Sequence, residues 1–234
     1  MRDNIETKNI GNRKIILELR YDPVLSMLDK RGEIVESIIS EKMFSTWQWE
    51  ISQGEVRLRD NTNKEKARNF LSVSFNRINL MSYQIDSVES FYSKFEHIRS
   101  IIYKVIGTPT ITRIGCRIIG TYNVKSTDYQ GILKGFTGLF PSTFLIEPYV
   151  TRDFLFHMEY DNGMYEIGPL NNDDQYYDRE FKFDGCVKHV GIVIDTDNYL
   201  TNESKNISND ALIKDVYTLS LSVEKDLFSH LMNL

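Results

Sequence analysis

Strand-length runs that alternate apolar and polar residues, two long amphipathic helical stripes that each follow a group of strands, and a strong hairpin turn predict an α+β protein. We expect two similar ferredoxin-like-type halves, residues 1–109 and 110–234, packed closely as one unit, with a mostly antiparallel sheet covered by helices on one face. The order strand, helix, two strands, helix is followed by strand, helix, two or three strands, helix. No residue-level repeat accompanies that similarity.

Each element has its own signal. Residues 14–21 place Ile15, Leu17, Leu19 and Tyr21 opposite Ile16, Glu18 and Arg20, a strand with one apolar face. Asp22 and Pro23 end it, and a helix over 24–43 follows, interrupted at Gly32. Residues 47–59 read as a strand pair. Residues 71–83 read as one strand with a bulge near 76–79. Val88, Phe91, Tyr92, Phe95, Ile98, Ile102 and Val105 form a helical stripe over 87–106, with Asp86 and Glu89 as a capping pair and Gly107 and Pro109 as a stop. Residues 110–124 form a central strand whose alternate positions hold Ile114, Cys116 and Ile118 on one face, Arg113, Gly115 and Arg117 on the other. A shorter helix over 127–136, a strand-like run over 144–160, the turn Asp161-Asn162-Gly163, an acidic loop over 168–184, a strand over 187–199 and a helix from 208 complete the chain.

The 234 residues, 41% hydrophobic, are enough for a substantial core. No apolar window suits a membrane span and no secretory signal is seen, so a cytoplasmic protein with no membrane partner is expected. The net charge of −5 disfavours broad nucleic-acid binding. That charge is uneven: residues 159–184 carry eight acids against two bases, and residues 57–68 form a basic loop near Trp47, Trp49 and Phe70. Cys116 and Cys186 lack ligand spacing and read as buried thiols.

The early strand 15–21, the run Arg113-Ile114-Gly115-Cys116-Arg117, the late strand ending in Asp195-Thr196-Asp197, and a terminal helix carrying Phe228 resemble a sporadically distributed family of bacterial and archaeal proteins with no established activity. The resemblance spans nearly the whole chain. It implies the architecture but supplies no catalytic residues. The scattered distribution of such families suggests a place in a prokaryotic defence or toxin-antitoxin cassette.

Four constellations carry the functional expectations. Arg113 and Arg117 either bind an anion or pair with acids such as Glu18 or Asp195. Asp195 and Asp197, in step on one strand, could present carboxylates to a divalent metal for phosphoryl or nucleotidyl transfer, with Asp173 or Asp174 as a third ligand, but no Gly-rich phosphate loop accompanies them. The basic loop could bind nucleic acid. The acidic loop, with Asp173, Asp174, Tyr176, Tyr177 and Phe181, is a candidate protein-binding element. No histidine pattern or nucleophile elbow completes a hydrolytic set, and no cofactor is expected. The leading expectation is therefore a noncatalytic protein-binding component, with a homo-oligomer as a further arrangement.

Overall fold

The computed structural model describes residues 5–43, 48–52, 54–83, 85, 87–139, 153–201 and 211–234. Among these residues nine strands form one sheet: β1 (Ile10–Tyr21), β2 (Gln48–Ile51), β3 (Glu55–Arg59), β4 (Asn69–Ser74), β5 (Arg77–Ser82), β6 (Ile111–Tyr122), β7 (Phe156–Tyr160), β8 (Gly163–Leu170) and β9 (Gly191–Thr201). Their spatial order is β2-β3-β4-β5-β1-β6-β9-β8-β7. Every ladder is antiparallel. The two longest strands, β1 and β6, lie side by side at the centre, and a meander runs outward from each.

That topology refines the expected architecture. An α+β fold with an antiparallel sheet is observed, but a split βαβ half would pair two strands in parallel, and none of the ladders does so. The helices are α1 (Arg31–Ser40), α2 (Val88–Ile106), α3 (Tyr129–Gly138), α4 (Gln175–Glu180) and α5 (Ala211–Leu231). Side chains of α1, α2, α3 and α5 pack on the face that carries Ile15, Leu17, Ile114, Ile118 and Ile194. The short α4 packs on the opposite face, against Ile119, Leu170 and Val193. Covering by helices is thus nearly but not wholly one-sided.

Local chemistry explains the boundaries. Ser87 caps α2 by accepting a hydrogen bond from the Ser90 amide at 3.0 Å, and Gly107, at φ +83°, ends the helix in a conformation that disfavours side chains. Asp86, expected to cap, lies outside the described residues. The helix expected over 24–43 divides into a 3-10 turn at Leu25–Leu28 and α1, with the break at Asp29-Lys30 instead of Gly32. The run 71–83 is a hairpin, not a bulged strand, because the chain reverses at Phe75-Asn76 while Val24 and Tyr21 amides bind their carbonyls. Asp161-Asn162-Gly163 joins β7 to β8, and the described part of the run expected over 144–160 becomes strand only from Phe156.

Phe91, Phe95, Ile98 and Ile102 of α2 and Ile213, Val216 and Tyr217 of α5 are buried against the central strands. Each such aliphatic or aromatic side chain contributes about 1.5–3 kcal/mol relative to exposure. A buried charge cluster fastens α5 further: Arg13 of β1 and Tyr122 of β6 both bond Glu224. Among the described residues no helix is long and apolar enough to cross a membrane.

Candidate functional site

The register of β1, β6 and β9 builds the site. Pleating sends Glu18 and Arg20 of β1, Arg113, Gly115 and Arg117 of β6, and Asp195, Asp197 and Tyr199 of β9 to the face opposite the four packing helices. Arg77 of β5 and Glu55, Arg57 and Arg59 of β3 continue the row outward. The result is a sheet face with six arginines on four strands. At its centre Ile16, Glu18, Arg20, Arg113, Gly115, Arg117 and Asp197 line an open hollow of about 240 Å³.

Glu18 is the anionic hub. It accepts hydrogen bonds from Arg20 Nε at 2.7 Å and Arg113 Nη1 at 3.0 Å, and Arg77 approaches to 3.8 Å. Arg113 also lies 3.9 Å from Asp197 and stacks its guanidinium over Tyr199 at 4.9 Å. Arg117 donates Nε and Nη2 to the two oxygens of Asp195, at 2.9 and 2.7 Å, and Tyr176 Oη donates to the same carboxylate at 3.1 Å. Hydrogen bonding to Asp195 pushes the Arg117 pKa up, so the guanidinium is permanently charged. Burial raises the Tyr176 hydroxyl and holds it protonated as a donor. Burial also raises the Asp197 carboxyl against the opposing pull of Arg113.

The arginines and carboxylates named from the sequence therefore meet each other, Arg113 with Glu18 and Arg117 with Asp195. The metal arrangement fares differently. Asp195 is fully buried with both oxygens bonded, and among the described residues no group of three His, Cys, Asp or Glu is placed to hold a metal ion. Asp173 is exposed, and the side chain of its neighbour Asp174 caps α4 by accepting from the Tyr176 amide at 2.8 Å. Burial pushes the Cys116 thiol up to about 12, leaving it protonated and unreactive.

The acidic segment requires a correction. Tyr176, Tyr177 and Phe181, expected to face a partner, are buried in a cluster with Ile119, Leu170 and Val193, because α4 turns its aromatic face down onto the sheet. Tyr177 Oη donates to the His189 carbonyl at 2.7 Å, and His189 Nε2 lies 3.0 Å from Thr121 Oγ1. Gly11 leaves the space for that imidazole, which any β-carbon there would strike. Lys14 donates to Glu180 at 2.7 Å across the same contact. Burial dominates at Lys14, lowering its pKa, while at Glu180 burial is outweighed by the bond from Lys14 and the carboxyl titrates below its usual range.

The acidic and basic segments also meet. Arg68 bonds the Asp184 carbonyl and lies 4.6 Å over the Phe183 ring, and the Asp184 amide donates to the Glu65 carbonyl at 2.8 Å. Tyr83 packs between Phe70 and Phe183. Trp47, named with the basic loop, lies outside the described residues. Arg20, Arg77 and Glu55 also belong to the site. Strand alternation in β1 marks Arg20, whereas the bulge expected near 76–79 obscures the face of Arg77, which the hairpin at 75–76 settles. No protein-family model and no curated protein matches this chain.

Proposed function

We propose that the chain is a noncatalytic protein-binding component and that the open sheet face around Glu18, Arg20, Arg113 and Arg117 is its contact surface. One observation carries this reading: charged side chains concentrate on the face that the four packing helices leave free, around a hollow with Gly115 in its lining. Arg20 and Arg117 retain 50% and 35% side-chain exposure while already held in place by carboxylates, so little ordering entropy opposes their engagement. The fitting partner is a protein surface with carboxylates opposite Arg20, Arg113 and Arg117 and a basic group opposite Asp197. Interleaved acids disfavour a polyphosphate strand there. We place that partner in a prokaryotic defence or toxin-antitoxin cassette, following the family resemblance. The strand, helix, meander and long helix found on each side of the β1/β6 pair support reading 1–109 and 110–234 as one unit used twice.

Co-purification from the native source with quantitative mass spectrometry tests the reading. A stoichiometric protein partner should be retained by the wild type and by Lys134→Glu, a change on α3, and lost from Arg20→Glu. Gly115→Ala is a second probe, since the atoms nearest its methyl belong to the guanidinium of Arg113, at 3.2 Å and beyond. Retention of the same partner by Arg20→Glu and Gly115→Ala alike would overturn the proposal.

A further inference from the structure

β7 ends the sheet, and among the described residues no strand lies beyond it. An uncovered edge carries a row of unpaired amides and carbonyls, which proteins blunt with proline, lysine or a bulge. β7 has neither proline nor lysine, and its ladder with β8 runs without a break. Its apolar row is open as well: Met158 and Tyr160 are 40% and 37% exposed.

The strand is self-complementary in one register. The turn at Asp161-Asn162 makes Tyr160 and Gly163 a hydrogen-bonded pair, so alternation directs the backbone groups of Met158 toward β8 and those of His157 and Glu159 outward. Opposed residues share a face, so a two-fold axis perpendicular to the sheet must centre on a single residue. Centred on His157 or on Glu159, it would set imidazole on imidazole or carboxylate on carboxylate. Centred on Met158, it sets His157 opposite Glu159 twice and Phe156 opposite Tyr160 twice, with Met158 against its own copy. His157 is prepared for that contact, since the Glu159 and Glu166 carboxylates, each 3.2 Å away, raise its pKa and favour the imidazolium. The opposite edge, β2, carries the Glu50 carboxylate and no cation to oppose it.

We infer that two copies of this chain associate through β7, antiparallel about Met158, so that one sheet runs through both. Backbone bonds form between His157 of one copy and Glu159 of the other, and that opposing carboxylate faces His157 more directly than the chain's own Glu159, two residues along. An axis perpendicular to the sheet leaves both arginine-bearing faces on the same side, which makes that face bivalent. The association goes beyond the protein contact proposed above and stands without it.

Sedimentation velocity of the full chain over a concentration series tests it, with disulfide trapping to read the register. The wild type should reach twice the mass of one chain and grow no further. Met158→Lys, at an exposed position, should weaken the association about tenfold or more and leave the circular dichroism spectrum unchanged, because it sets two ammonium groups face to face. Met158→Cys should form an intermolecular disulfide under mild oxidation, since the two residues meet as a non-hydrogen-bonded pair with Cα atoms about 4.5 Å apart. His157→Cys should not, because its two copies stand two residues out of register. The wild type, with Cys116 and Cys186, sets the background. A chain that stays monomeric at every concentration, a dimer that Met158→Lys leaves intact, equal trapping by the two cysteine variants, or growth past the dimer would overturn the proposal.

Discussion

The acidic segment around α4 and the arginine-bearing centre of the sheet invert the roles that their compositions suggest. The segment richest in acids and tyrosines is folded down, its rings buried and its Asp184 end bonded to the basic loop. The central strand, whose arginines pair within the protein, still leaves those arginines partly open to solvent. Composition along a chain thus says little about which side chains are available. Burial decides it: Tyr176, Tyr177 and Phe181 turn inward, while Asp173, Asp178 and Asp184 beside them stay exposed.

Four variants probe this contrast, in falling order of effect. Tyr177→Ala should lower unfolding stability by about 4 kcal/mol in denaturant titrations, as expected for a fully buried aromatic; a loss below about 0.5 kcal/mol would return the segment to the surface. Arg117→Ala should cost about 3 kcal/mol, because it strands the buried Asp195 carboxylate with only Tyr176 as a charge-stabilising donor. Asp195→Asn with Arg117→Gln should recover part of that loss, and no recovery would show that the pair is not coupled. The smallest effect concerns pH. The Glu180 pKa is lowered on folding, so its stabilising contribution is fully present above the ordinary carboxylate value and is lost as pH falls through the lower folded value. Glu180→Gln should therefore flatten the acid limb of the stability profile, and an unchanged limb would detach Lys14 and Glu180 from acid unfolding.

Much of the fold was legible in the sequence. The two amphipathic helices, the central strand and the β7–β8 turn all follow from local periodicity and turn chemistry, which act over a few residues. Misreadings occurred where a local pattern was ambiguous: Phe75-Asn76 could be bulge or turn, and residues 175–180 could be loop or a single capped helical turn or two. Of the candidate site, alternation assigned Glu18, Arg113, Arg117, Asp195 and Asp197 to faces of their strands. Which faces coincide is a different kind of information.

Sequence alone determined what each strand offers, an apolar row and a charged row two residues apart in step, because side-chain direction alternates with the backbone whatever the neighbours are. Only the tertiary structure decided that β6 sits between β1 and β9, in a register that sets Arg113 beside Glu18 and Arg117 against Asp195. It also decided that α4 shelters one end of that face and leaves the other open. Pairing across 78 to 95 residues of chain depends on packing the whole core at once, and no local pattern encodes it.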